Sequence, residues 1–298
     1  MELGRVAVVA IGGSALPADV ERRDEELSEV AIGVVELVTR GWHVVITHAN
    51  GPYLARAARR DAAARSADPS IGSEPLDVRV AEAQGALGYR IVMALADALA
   101  RRQRHERACA VLTRVLVSLD DPAFGRATAH RDGDGERRVV ASPKPLRILD
   151  VDPVADLLDL GYIVVAAGGG GIPVARDAAG THHGVEAAVD KDYTSARLAI
   201  DLDADLFVLC TDVPHVSMDY RTSSQRDLEQ IDDVEAERLL RAHQLAPRTM
   251  APKIEAAIWF LRAPSRHPRS VIVTTPVQMA DALLGRAGTR ATARPTNA

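Results

Sequence analysis

Hydrophobic positions along the chain alternate between two patterns. Unbroken apolar runs rich in β-branched residues occur at Arg5–Ile11 (RVAVVAI), Trp42–Thr47 (WHVVIT), 108–117 (ACAVLTRVLV), Tyr162–Ala167, Asp205–Cys210 and Ser270–Thr274. Runs of this kind predict strands buried on both faces of a parallel sheet. Between them apolar residues recur at helical spacing. Leu27, Val30, Ala31, Val34, Leu37 and Val38 define one such helix, which Gly41 closes. An Ala/Arg-rich helix follows residue 52, and a long helical pattern spans 78–103 after a Pro/Ser/Gly loop around 67–76. Further helices are expected at 152–160, from Asp190, at 232–243, from Pro252 to Arg262, and at Pro276–Leu284. Strands alternating with helices predict an α/β chain with a mostly parallel sheet covered on both faces. Residues 118–137 break the rhythm with Asp120-Asp121-Pro122 and Asp132-Gly133-Asp134-Gly135, and read as a mobile surface excursion. The polar tail after 284 reads as fraying. A polar, Gly-containing stretch at 176–183 marks a soft boundary near 180, dividing 1–180 from 181–298.

Composition narrows the class. The 298 residues are 47% hydrophobic and 26% charged, an ordinary globular balance. A net charge of −5 argues against a general nucleic-acid binder. No stretch approaches 18 uninterrupted apolar residues, so no membrane span is expected. Glu2 and an early Gly-Gly break do not suit a secretion signal. Cys109 and Cys210 lie in apolar runs and read as buried thiols of a reducing, cytoplasmic compartment. One count changes the picture more. Of 36 basic side chains, only Lys144, Lys191 and Lys253 are lysine. A drift towards arginine thins out exposed lysines, whereas a position needing a compact ammonium resists it.

The candidate chemistry lies at strand ends, because open parallel sheets bind ligands beyond the carboxyl ends of their strands. Four such ends carry Gly12-Gly13, Asn50-Gly51-Pro52, Gly168-Gly169-Gly170-Gly171 and Thr211-Asp212. Glycine lets backbone N–H groups close on an anion, and following helix N-termini add partial positive charge. Three glycine-bearing turns at one edge suggest a phosphate cradle. Two familiar phosphate motifs are excluded. There is no G-x-x-x-x-G-K-[ST]. The four-glycine run, with Glu186 at a ribose-binding distance, is followed too soon by Pro173 for a dinucleotide fold. Lys144 is flanked by Pro143 and Pro145, a stiff platform, while Lys191 and Lys253 fall in the first turns of helices. A cation there opposes the macrodipole, a cost that a bound anion would offset. Asp212, ending an apolar strand, is a candidate to orient a lysine or a metal. His48 suits either a ligand contact or a structural hydrogen bond, and His182-His183 reads as a solvated turn.

Several motifs resemble carbamate kinase, a branch of the amino acid kinase superfamily. They are Ala10–Leu16 (AIGGSAL), Thr47–Pro52 (THANGP), Gln84–Tyr89 (QGALGY), Ala141–Pro145 (ASPKP), Ala166–Pro173 (AAGGGGIP), Gly184–Asp192 (GVEAAVDKD), Thr211–Val213 and Ala251–Ala257 (APKIEAA). The resemblance implies a three-layer αβα sandwich, with 1–180 holding the acceptor and 181–298 holding ATP. It further implies a homodimer that transfers phosphate reversibly between ATP and carbamate with Mg²⁺, the metal held through nucleotide phosphates rather than by a protein cluster. On that basis Gly12, Gly13, Ser14, Asn50, Gly51, Gly168, Gly169, Gly170 and Gly171 would cradle the acceptor and the transferring phosphate. Lys144, Lys191 and Lys253 would stabilise charge and Asp212 would fix the lysines. Thr211, Asp212, Val213 and Lys253 would meet the nucleotide. All three of the chain's lysines fall on the family's functional lysines. Departures cluster at the pockets: Ser14 and Ala49 in the first two turns, a short 118–137 excursion, Pro214–Ser217 beside the adenine, and Arg248-Thr249. They leave open a different small carboxylate or phosphate acceptor, or a non-catalytic nucleotide sensor.

Overall fold

The computed structural model describes residues 4–13, 16, 20–126, 129–132, 137–220, 222–247 and 249–295. In chain order, its first elements are β1 (Val6–Ile11), α1 (Val20–Thr39), β2 (His43–His48), α2 (Gly51–Ala67), α3 (Leu76–Arg101), β3 (Arg107–Ala110), β4 (Arg114–Leu116), β5 (Ala129–Asp132), β6 (Arg137–Val140), β7 (Arg147–Ile148), α4 (Val151–Asp159) and β8 (Tyr162–Val165). Then come β9 (Ile172–Arg176), β10 (His182–Gly184), α5 (Lys191–Asp201), β11 (Leu206–Cys210), β12 (Val216–Met218), β13 (Arg226–Leu228), β14 (Gln230–Asp232), α6 (Asp233–Arg241), α7 (Ala251–Arg262), β15 (Ser270–Thr274), α8 (Met279–Leu283) and β16 (Thr289–Thr292).

The apolar runs form the middle of an eight-stranded sheet in the order β14-β16-β15-β11-β1-β2-β8-β3. Its central strands pair in parallel, while β16 runs antiparallel to β15. Alternation along β1 divides the core in two. Val6, Val8 and Ala10 pack with Leu198, Phe207 and Phe260 on the side of α4, α5 and α7. Ala7, Val9 and Ile11 pack with Val34, Leu37 and Leu95 on the side of α1, α3 and α8. A three-layer αβα sandwich results, because each helix buries one apolar stripe against the sheet. No described helix is long and apolar enough to cross a membrane.

Four expectations need correction. The run 108–117 is not one strand. Thr113 breaks it, its hydroxyl bonding the Val111 carbonyl and accepting from the Ala167 N–H, both at 2.9 Å. The chain thereby leaves the main sheet for a smaller one, β10-β9-β4-β7. The 118–137 excursion is ordered where described, with a 3₁₀ turn at Pro122–Gly125 and the antiparallel β5–β6 hairpin. The Asp-Gly pairs between its strands are hairpin turn signals as much as loop signals. The tail forms β16, held by Thr289 at 1% exposure and continued by the Arg294 N–H donating to Asp233 at 2.7 Å. His182 and His183, expected in a turn, lie in the exposed strand β10.

The register brings Ile11, His48, Cys210 and Thr274 level along one edge of the sheet. Strand order reverses at β1. The chain runs outward through β2 and β8 and later returns to β11 on the other side, leaving a crevice beyond the β1 and β11 ends.

Candidate active site

The glycine run follows β8 and is shaped by what it touches. Gly169, Gly170 and Gly171 have φ of +67°, +87° and +81°. A Cβ on Gly168 would stand 2.2 Å from His48 Nε2, one on Gly169 1.9 Å from Asn50 Nδ2, and one on Gly170 2.0 Å from the Val189 carbonyl oxygen. Only glycine allows this approach between the turns that end β2 and β8. Side chains then fix the run. Gln84 Nε2 donates to the Gly168 carbonyl at 2.9 Å and to that of Thr113 at 3.2 Å, while Thr194 Oγ1 donates to the Gly170 carbonyl at 2.9 Å. Gln84 was visible in the sequence only as part of a helical motif.

At the first turn, the Gly12 N–H donates to the Cys210 carbonyl at 2.8 Å, so that group ties β1 to β11. Gly13 is exposed beside Ala49. Gly51 opens α2, whose N-cap Asn50 makes no side-chain cap bond. Asn50 Nδ2 is buried with no hydrogen-bond partner among the described residues. A buried donor without a partner is costly, so its natural partner is a ligand. Ser14 and Arg248 lie outside the described residues. Glu186 accepts the Leu76 N–H at 2.7 Å and so caps the start of α3.

Two of the three lysines meet. Asp190 caps α5, accepting the N–H groups of Asp192 and Tyr193 at 2.8 and 3.2 Å. This leaves the Asp192 carboxylate free to face α7. Lys253, in the first turn of α7, donates to Asp192 Oδ2 at 3.0 Å, and Lys191 donates to Oδ1. Asp192 is 5% exposed. Burial pushes its pKa up, but the charges and hydrogen bonds of Lys191 and Lys253 outweigh burial and hold it below the usual carboxylate range. Burial raises the Asp190 carboxyl, and the Asp192 charge adds to it. The expectation that Asp212 fixes the lysines is corrected: Asp192 holds this pair. Asp212 is exposed and accepts from the Thr211 hydroxyl at 3.1 Å. In the sequence Asp192 was visible only as a first-turn acid beside a capping aspartate.

Lys191 faces the sheet edge. Burial lowers the His48 pKa to about 4, and the Lys191 charge adds to that effect. The neutral ring donates from Nδ1 to the Ala49 carbonyl at 3.0 Å, the structural hydrogen bond weighed for this residue. Burial pushes the Cys210 thiol up to about 12, against the pull of the Lys191 charge. Lys144 does not share Asp192. Its backbone N–H donates to Asp121 at 3.0 Å and its ammonium lies 5.2 Å from the centre of the Tyr193 ring.

A cavity of about 530 Å³ opens between the end of β11 and the start of α7. Thr211, Asp212 and Val213 line it, joined by His215, Tyr220 and Met250. Tyr220 supplies an aromatic ring that Pro214–Ser217 lacks. It returns to the cavity through the turn after β12, a proximity invisible to local pattern. Among the described residues, no group of three or more His, Cys, Asp or Glu side chains gathers as a metal site.

The model of the amino acid kinase family matches residues 5–274. The carbamate kinase-like protein YahI of Escherichia coli is 35% identical, over 95% of this chain and 98% of its own. The carbamate kinase of Lentilactobacillus hilgardii is 33% identical, over 88% of this chain and 90% of its own. The carbamate kinase of Giardia lamblia, solved bound to AMP-PNP, superposes with a TM-score of 0.88 at 28% identity, covering 99% of this chain and all of that one.

Proposed function

The chain belongs to the amino acid kinase family, and from that premise we propose that it is an ATP-dependent kinase of carbamate, interconverting ATP and carbamate with ADP and carbamoyl phosphate. The observation that carries this reading is the buried Asp192 carboxylate holding Lys191 and Lys253 at the carboxyl edge of the sheet, beside the glycine run.

Phosphoryl transfer spreads negative charge over the equatorial oxygens while donor and acceptor stay in line, so catalysis is positioning and electrostatics. In this reading Lys191 and Lys253 meet the charge that develops on the transferring group. Asp192 holds both ammoniums aimed before the nucleotide arrives. Asn50 Nδ2 and the N-terminus of α2 offer donors to the acceptor or to the moving phosphoryl oxygens, with Gly12, Gly13 and Gly168–Gly171 shaping the turns around them. Carbamate is already an anionic nucleophile and needs no general base. That suits an acceptor edge at which the buried His48 is neutral at pH 7. The cavity at Thr211, Asp212, Val213 and Tyr220 suits the nucleotide, and its volume lies in the range of small-molecule sites. We assign Mg²⁺ to the nucleotide phosphates, where it would neutralise negative charge, with the exposed Asp212 carboxylate in the cavity lining available to help hold it. Lys144 would join from the acceptor side, and the division at residue 180 would separate acceptor from nucleotide.

The direct test is ADP formation with ammonium and bicarbonate, and ATP formation from carbamoyl phosphate and ADP. Absence of turnover in both directions rejects carbamate. A second reading, a different small carboxylate or phosphate acceptor, draws on Ala49, whose methyl stands in the acceptor turn, and on relatives named only carbamate kinase-like. An acceptor screen by ADP release separates the two, and nucleotide binding without any turnover would leave a sensor. We further propose a cytoplasmic homodimer. Tyr89 and Met93, 63% and 47% exposed on α3, are apolar surface available to a second copy, and sedimentation would measure the state.

A further inference from the structure

Lys191 and Lys253 stand on different helices, so their spacing depends on how the first turn of α5 is held against the first turn of α7. The Asp192 bridge is one tie. A second runs beside it: the Tyr193 hydroxyl donates to Glu255 Oε2. Tyr193 lies two residues past Lys191 and Glu255 two past Lys253, so both ties fasten the same pair of turns. The Tyr193 ring also packs on Trp259, 6.2 Å between centroids and one turn beyond Glu255. The same ring carries the Lys144 ammonium at 5.2 Å. One aromatic side chain thus meets Lys144 directly and ties together the two helix turns that carry Lys191 and Lys253.

We propose that Tyr193 is a positioning residue for phosphoryl transfer, its hydroxyl setting the register of α5 on α7 and its ring face setting the place of Lys144. The proposal rests on the reading of the three lysines as the charge-stabilising groups. The hydroxyl is suited to the task because burial, with the Glu255 carboxylate adding to it, raises the phenol pKa and keeps the proton on the donor. A merely structural role is disfavoured by exposure. Glu255 faces solvent and Tyr193 is half-buried, so the bond adds little to folding while still fixing geometry. Small displacements of positioned groups cost rate steeply.

The test measures kcat and KM for ATP formation from carbamoyl phosphate and ADP, with melting followed by circular dichroism. Tyr193→Phe keeps the ring and its packing, and should lower kcat about tenfold with KM for ADP within about twofold. Glu255→Ala should lose as much, and the double variant no more than either alone, the mark of one shared interaction. Tyr193→Leu should lose more than Tyr193→Phe, and the excess should vanish on a Lys144→Ala background. Wild-type kcat in both Tyr193 variants, or losses that simply add in the double variant, would overturn the proposal. Lys191→Arg and Lys253→Arg are run alongside. If they lose activity while the Tyr193 variants do not, the proposal falls and the lysine reading stands. If they keep full activity, the lysine reading itself falls.

Discussion

Replacing Asp192 by asparagine keeps the shape of the bridge and removes its charge. The carboxylate is 5% exposed, and the side chains of Lys191 and Lys253 are each 11% exposed. The variant therefore leaves two desolvated ammoniums side by side without the carboxylate that bridges them. Breaking a buried ion pair by removing one partner costs about 3–5 kcal/mol. For a chain of this size that is a fall in Tm of roughly 6–10 °C. The sign with pH follows from the lowered pKa. The folded carboxyl titrates below the unfolded one, so its contribution is complete above the ordinary carboxylate range and is lost as pH falls through the lowered value. Urea unfolding of wild type and Asp192→Asn from neutral pH downward should show a constant gap to about pH 4, narrowing below. Equal stability at pH 7, or a gap that widens on acidification, would refute the account of this bridge.

Other outcomes follow from the same geometry. Lys191→Arg or Lys253→Arg should cost at least about tenfold in turnover, about 1.4 kcal/mol, because a planar fork cannot reproduce a point charge in a closed site; steady-state kinetics of the purified variants checks it. Gly170→Ala, with φ +87° and a Cβ 2.0 Å from the Val189 carbonyl oxygen, should destabilise by at least about 2 kcal/mol, whereas Gly85→Ala, in open space within α3, should stabilise slightly; thermal melting separates them. His48 is buried neutral with a pKa of about 4, so the unfolded chain takes up its proton first and stability falls as pH drops from about 6.5 to 4, by about 3 kcal/mol in all. His48→Gln should flatten that segment of the stability–pH curve.

How far the sequence foretold this depends on which interactions are local. The sandwich was legible because strands of a parallel sheet, buried on both faces, read as unbroken apolar runs such as Val6–Ile11 and Ser270–Thr274. Short strands with polar neighbours were not. β16 (Thr289–Thr292) owes its place to Thr289 and to partners far along the chain, and β5–β6 lies in a stretch whose turn residues suggest a loop equally well. At the site, scarcity pointed to the lysines, and spacing pointed to the glycines. It could not say that Asp190 would be spent on capping α5 and Asp192 on Lys253, since two acids flanking one lysine look alike until the helix fixes their directions. Nor could it show that Lys144 stacks on Tyr193 instead of joining the other two.

The preponderance of arginine has one more physical consequence. Acylating agents attack free amines and leave guanidinium groups alone, so this surface offers them three side-chain addresses at Lys144, Lys191 and Lys253. Two of those are sealed against Asp192, and Lys144 alone is open to solvent. An acetyl group arriving at a side chain from outside therefore lands beside Tyr193 and removes the Lys144 charge there, while Arg197 and Arg262 of the same cavity keep theirs.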